Sequence, residues 1–581
     1  MSLDLLINDV VANTLSSLWP AFAPELILCG TILVLLLVRL LPFGERIDAG
    51  LLMLVGSGLG LYYAYPWIHL QELSALGRQE IFTGMLVYDG LTVYLRAFLL
   101  LFALLFVVLT KLTRVPYAED ETDFYCLIAG ATLGMCLMAS ANHLLMVFMA
   151  VEMASVPSYA LAGIMKGRRD SSEAALKYSI YGAGASGVML YGISLLAGLT
   201  NSAHLPTIAA ELAQNLPAMG PAEQMVLVLA GLMIAVGLAF KLSAVPFHFW
   251  CPDVFEGATA EVGAFLSVAS KAAALALLIR VCVGVGMPAA TTADRLAESR
   301  YATRLVTRQE VAGEELQPHA QPLAQAPVMI DTHSVGEEAS TGGPGRIRTF
   351  IGLLVGILAA VTCTFGNLAA FGQTNIKRLM AYSTIAHAGY MMMPIPAAMA
   401  LAAIAPADSK AAIASILLYA AVYLFMNLGA FAFIAILRNQ LGTEQIADYG
   451  GLIRRAPVTS VCFVLILFSL VGLPPLAGFV GKFALFASLA NAYQTTGRLH
   501  LILLLVVGGL NTAISLFYYL RVAKIMTIDP ESDLVASSDD RLIPPVAATY
   551  VILMTAPVVV LIVNWNMLGR WTFAAVQHLF A

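Results

Sequence analysis

Residues 240–250 read FKLSAVPFHFW, and residues 470–483 read LVGLPPLAGFVGKF. Each stretch sets a lysine beside proline inside an apolar run too long for one straight membrane crossing, 225–257 and 457–489. An interior proline removes a backbone hydrogen bond and breaks the helix. In a membrane such a break persists only where protein or a wet cavity satisfies the freed groups. Either break alone can be a plain kink. Two of them, five spans apart, suggest two five-helix repeats, the second inverted in the membrane. Direct identity between the halves is weak, so the repeat rests on the placement of the breaks.

The rest of the 581-residue chain fits this reading. It is 60% hydrophobic and 12% charged, with a mean hydropathy of +0.83, and a soluble protein carries about twice that charge fraction. Apolar runs between polar breaks predict spans near 24–41, 48–68, 90–110, 124–140, 143–164, 172–199, 225–257, 260–283, 348–370, 379–397, 411–437, 457–489, 499–523 and 545–566. The expected fold is an all-α polytopic membrane protein of about 14 transmembrane helices. Residues 1–123 carry the first three spans, 124–283 the first repeat, 348–523 the second, and 524–581 a loop and the last span. The polar, Pro- and Gly-containing segment 284–347 reads as a disordered insertion. Positions 1–23 have no basic n-region, and 24–41 is long enough to remain as a span rather than a cleaved signal.

Basic residues cluster where odd-numbered spans end, at Arg168, Arg169, Lys377, Arg378, Arg454 and Arg455 among others. The opposite side shows little beyond Arg78, Lys410, Arg498 and Arg570. The positive-inside rule therefore puts the odd loops in the cytoplasm and both termini, with 286–346, outside it. A net charge of −5 and the lack of a basic patch exclude nucleic acid as a partner. The seven cysteines are scattered without a CxxC pair, as buried small hydrophobes are, and no Gly-rich nucleotide loop precedes a helix.

Charges inside the spans carry the functional reading. Glu152 sits mid-span in LLMVFMAVEMASVPSYALAG, Lys241 just before Pro246, Lys271 in FLSVASKAAALALLI, and Lys482 after the second break. A charge at mid-bilayer costs between about 2.5 and 17 kcal/mol, and such residues mark ion pathways. A structural ion pair is the alternative for each. Three lysines against one glutamate leave excess positive charge, however, which favours a proton relay over static pairs. Lys177 lies within two turns of a loop and can equally snorkel to the interface. His248 and His387 can pass protons through water or sit as hydrogen-bonded core histidines. Glu25, Asp89 and Arg96 read as interhelical structural charges.

FKLSAVPFHFWCPDVFEGA (240–258), FLSVASK (265–271), FGNLAAFGQTNIKRLMAYSTIAHAGY (365–390) and FSLVGLPPLAGFVGKF (468–483) together resemble the antiporter-like subunits of respiratory complex I. The resemblance spans nearly the whole chain outside 286–346. PELIL at 24–28, VEMASVPSYALAG at 151–163 and lysine at 482 place it nearest the N-type subunit. It implies that Glu152 and Lys241 form the first ion pair of a proton channel. Lys271 would be the central connecting residue, Lys482 the lysine of the second half-channel, and Lys177 a family lysine near the first site. It implies no catalytic redox residue, cofactor or metal on this chain. NADH and quinone would be used by the whole complex, with other membrane subunits, lipid and protons as partners. The location implied is an energy-transducing membrane, the bacterial inner membrane. Two features depart from the family pattern, the insertion itself and His143 where many members carry aspartate. A multisubunit cation/proton antiporter without redox coupling shares the lysines and is the runner-up. A structural subunit whose charges merely pair helices is the third reading.

Overall fold

The computed structural model describes residues 3–41, 47–64, 73, 75–116, 118–287, 343–537 and 542–579. The chain opens with α1 (Leu3–Leu18), α2 (Ala23–Leu40) and α3 (Ala49–Tyr63), followed by a short antiparallel hairpin, β1 (Gln79–Ile81) and β2 (Leu86–Tyr88). Then come α4 (Gly90–Thr113), α5 (Glu121–Ser140), α6 (Leu144–Ala162), α7 (Arg169–Thr200) and α8 (Leu205–Asn215). The first broken span is α9 (Pro221–Leu242) with α10 (Trp250–Gly257), and α11 (Ala260–Gly286) follows it. The second half of the chain runs α12 (Gly343–Ala370), α13 (Ile376–Met392), α14 (Pro394–Leu401) and α15 (Pro406–Leu441). The second broken span is α16 (Pro457–Val471) with α17 (Ala477–Thr496), then α18 (Leu499–Thr527), α19 (Pro545–Val560) and α20 (Trp565–Val576).

Among the described residues, ten helices are long and apolar enough to cross a membrane. The protein is a helical, polytopic membrane protein, and the shorter apolar helices lie among these ten. Several helices start on proline at the first helical position, including α9, α15, α16 and α19. There the missing N–H would have had no helical partner anyway, and the ring fixes a helical φ.

The core is a trio of helices, α4, α11 and α15, each packed against the other two. Every residue from 260 to 280 is buried, so α11 has no face left for lipid. Close backbone approach holds the pair α12 and α13 together: a Cβ on Gly389 would stand 2.5 Å from the Cys363 backbone nitrogen. Only glycine fits there.

Several expected boundaries shift. The insertion taken as 284–347 is shorter, because α11 runs on to Gly286 and α12 begins at Gly343; positions 288–342 lie outside the described residues. The second broken span extends past 489 to Thr496. The stretch before residue 24 is not featureless, since α1 docks on the hairpin: Asn13 Oδ1 accepts from Thr83 N–H at 2.9 Å and Ser17 Oγ from Phe82 N–H at 3.1 Å. After α19 the chain turns through 85° into α20, which packs across α15 and α4.

Candidate functional site

The last carbonyls of a helix have no intrahelical donor, and their partial negative charge favours a cation. α9 stops at Leu242 because Ser243 turns to a left-handed φ of 55° and Pro246 cannot continue the ladder. The freed groups are met by Lys271 from the middle of α11. Its ammonium donates to the Leu242 carbonyl at 2.6 Å and to Ser243 Oγ, and lies 5.5 Å from the centre of the Trp250 ring. Lys271 is 1% exposed.

The second break repeats this chemistry with a lysine from a different place. α16 stops at Val471, where Gly472 takes a φ of 91°. Lys482, 3% exposed and one turn into α17, reaches back and donates to the Val471 carbonyl at 2.9 Å. Its ammonium also sits 4.4 Å from the Tyr390 ring centre, a cation–π contact. The two half-helices touch so closely that a Cβ on Gly478 would fall 1.8 Å from the Ser469 carbonyl oxygen. Gly478 N–H in turn donates to Ser469 Oγ at 3.0 Å.

Lys241 occupies the last turn of α9 and is 1% exposed. Its ammonium donates to Ser155 Oγ at 2.9 Å, and Ser155 donates onward to the Val151 carbonyl at 2.6 Å. Glu152 lies one turn before Ser155 on α6. Its Oε1 is buried without a hydrogen-bond partner, and no salt bridge within 4.0 Å joins it to Lys241. The expected contact is therefore open in this structure, with Ser155 holding the ammonium in place of the carboxylate. Sequence reading passed over Ser155, although its i+3 spacing from Glu152 puts both on one helical face.

His387 of α13 sits between two phenols: Nδ1 is 2.7 Å from Tyr419 Oη and Nε2 is 3.3 Å from Tyr519 Oη. Tyr519 also bonds Ser383. Nearby, Tyr390 Oη accepts from Asn367 Nδ2 at 3.3 Å, and Tyr518 donates to Asn367 Oδ1 at 3.0 Å. Tyr390 thus connects the ring that faces Lys482 to a buried amide. These tyrosines and Asn367 were also missed; the available signal was Tyr419, Tyr423 and Asn427 recurring every four residues along α15. Helices α9, α11, α13, α15 and α17 pack consecutively, so Lys241, Lys271, His387 and Lys482 lie on neighbouring helices. His248 stands apart. It is buried against Phe249 and Phe365, with ring centres 4.6 and 4.4 Å away, and its Nδ1 has no hydrogen-bond partner.

Lys177 is held in an ion-pair cluster, 2.8 Å from Glu173 and 2.7 Å from Asp253. Arg378 at the start of α13 joins it by binding Asp253 at 2.9 Å and Glu256 at 2.6 Å. Buried Lys377 pairs with Glu444 at 2.8 Å and donates to the Ala258 carbonyl. The structural charges pair as interhelical clamps: Arg96 with Glu25 at 2.5 Å, and Asp89 with Arg280 at 2.5 and 2.6 Å. Arg280 and the buried Glu261, whose Oε2 is unpartnered, escaped the sequence reading because both lie towards helix ends. His143 has a local role, as its Nδ1 accepts from Leu145 N–H at 3.2 Å and caps α6, which an aspartate there would also do.

Buried lysines at or facing the proline breaks of an apolar helical bundle mark an antiporter-like membrane subunit. The family described as NADH:quinone oxidoreductase/Mrp antiporter, transmembrane, matches residues 141–292 and 346–509. A NADH-quinone oxidoreductase subunit N of Anaeromyxobacter sp. (strain Fw109-5) is 36% identical over 578 residues, 97% of either chain. The subunit N of Chlorobium chlorochromatii (strain CaD3) is 35% identical, covering 89% of this chain and 86% of its own. Among solved structures, a chain of respiratory complex I from Thermus thermophilus with bound aureothin is 28% identical with a TM-score of 0.65, covering 94% of this chain and 98% of its own. A chain of the Mrp complex from Dietzia sp. DQ12-45-1b shares the fold at a TM-score of 0.72 and 15% identity, over 96% and 97% of the two chains. The chain belongs to the NADH:quinone oxidoreductase/Mrp antiporter family, and within it resembles complex I subunit N.

Proposed function

We propose that this chain is the N-type membrane subunit of a NADH:quinone oxidoreductase, moving protons with energy released by quinone reduction in other subunits. One observation carries the reading: of the three lysines deep in the bundle, Lys241, Lys271 and Lys482, none has a carboxylate within 4.0 Å. Each is held by carbonyl or hydroxyl dipoles instead. A carboxylate partner would fix the proton in place, whereas a dipole-held ammonium can pass it on when its surroundings change. Glu152, half-buried with its Oε1 unpartnered one turn from Ser155, supplies the change. Contact with Lys241 stabilises the protonated lysine, and withdrawal releases its proton toward Lys271. His387 and its phenols connect Lys271 with Lys482. Lys177 steadies α10 from its ion-pair cluster, and His248, packed against Phe249 and Phe365, is a carrier set apart from the others. The names of the relatives favour the redox-coupled complex over an antiporter.

The test is proton uptake and quinone reductase rate in vesicles carrying the assembled complex. Lys241→Arg keeps the charge but cannot release a proton, so pumping should fall to background, and Glu152→Gln should slow it strongly. Pumping at the normal rate in both variants would rule out the relay. The chain purified without partners serves as control and should not oxidise NADH, since the redox centres belong to other subunits.

On the same reading the bundle crosses the bilayer fourteen times. Residues 124–283 and 348–523 form inverted repeats, and both termini face away from the cytoplasm of a bacterial inner membrane. Pairings five spans apart support this, because α5 packs along α6 as α12 does along α13. Protease added outside spheroplasts should cut within 288–342. Cleavage from the cytoplasmic side alone would reverse the orientation.

A further inference from the structure

A cavity of about 320 Å³ lies between α9, α11 and α12, closed at one end by α8. Along α9 it follows one stripe, Gln224, Leu227, Gly231, Ile234 and Leu238, a helical length of about 20 Å. Its lining is apolar apart from Gln224 and Arg346. The Gln224 amide is already occupied, donating to the Met219 carbonyl at 3.0 Å. Arg346 is exposed and, among the described residues, makes no hydrogen bond or salt bridge. It stands where the apolar run of α12 begins, level with the start of α9, which is where a bilayer has its headgroups. Arg348 follows on the same helix, and Arg498 stands at the start of α18, which packs against α12. All three lie on the side where loop arginines and lysines are otherwise scarce, so a local reason for positive charge is needed. The cavity also lies at the bundle's rim, because Met225, Leu229 and Leu232 of α9 and Leu353 and Ile357 of α12 are exposed beside it.

We propose that this cavity takes one acyl chain of an anionic phospholipid, whose phosphate is bound by Arg346. The depth suits a single extended chain, the lining gives it no polar group to desolvate, and a guanidinium binds phosphate through two parallel N–H donors. The site is independent of the lysine row and does not rest on the proton relay.

The experiment uses the assembled complex in phosphatidylcholine nanodiscs carrying a phosphatidylglycerol with a photoreactive group at the acyl end. Cross-links are mapped by peptide mass spectrometry. The unaltered complex should be labelled within 224–238 and 346–355. Arg346→Ala should reduce labelling about tenfold, as expected when a charge-assisted hydrogen bond to phosphate is lost. Gly231→Leu should abolish it by filling the cavity; its Cβ meets Phe350 at an ordinary 3.5 Å, so the helices need not move. Quinone reductase activity should persist in both variants. Equal labelling in all three proteins would overturn the proposal. So would equal labelling by a phosphatidylcholine probe, or displacement of the label by added quinone, which would make the occupant a quinone tail.

Discussion

Replacing Lys271 with alanine should abolish proton pumping by the assembled complex and slow quinone reduction with it. Two losses combine. On the proposed relay a proton carrier disappears from the middle of the bundle, and the Leu242 carbonyl and Ser243 hydroxyl lose their donor. Leaving such a buried group unsatisfied costs about 1–3 kcal/mol, which the chain can bear without unfolding. Lys271→Gln separates the two effects, because the amide can still donate to Leu242 but cannot ionise. If the lysine only capped α9, the glutamine variant would pump normally and the alanine variant would assemble poorly. If it carries protons, both should assemble and neither should pump. Normal pumping with glutamine at 271 would refute the carrier role.

The largest structural effect is expected at Asp89. Its carboxylate takes two hydrogen bonds from Arg280, which also donates to Thr92 Oγ1 at 2.8 Å and to the Ala139 carbonyl at 2.9 Å. Side chains of both are almost wholly buried. Breaking a buried pair from one side leaves an uncompensated charge and costs about 3–5 kcal/mol, a large share of a typical domain's net stability. Asp89→Ala should therefore lower the amount of assembled complex on native gels severalfold. The double variant Asp89→Leu with Arg280→Met removes both charges and should recover most of it. Full assembly of Asp89→Ala alone would show that the clamp contributes little.

The parts of this protein legible from sequence were those where one residue contradicts its surroundings. Pro246 and Pro474–Pro475 interrupt apolar runs, and the structure breaks the helices there. Lys241, Lys271 and Lys482 are charged among aliphatic neighbours, and all three are buried at those breaks or beside them. What stayed hidden depends on partners distant in the chain. Ser155 looks like any small helix residue until Lys241 arrives from 86 positions on. Tyr419 and Tyr519 are ordinary span aromatics until His387 lies between them. Lys177 sits near a loop, and nothing local shows that Asp253 waits opposite. The β1–β2 hairpin is too short for an alternating pattern to register, and it is held by Asn13, Ser17 and Asn142 through pairings no local window contains.

The order in which the chain is made gives these contacts a second significance. The acceptors of Lys241, Lys271 and Lys482 all precede them in the sequence, as Glu25 precedes Arg96 and Asp89 precedes Arg280. During synthesis from the N-terminus, each of these cations enters the bilayer after the group that will receive it. None need wait in hydrocarbon for a later segment to supply its partner. The outer wall of α11 is different, because α15, which covers one of its flanks, is made more than a hundred residues later. A nascent chain arrested between the two would present that flank to lipid with Lys271 and Arg280 already holding their acceptors, which suits a subunit that must persist in the membrane while the rest is translated.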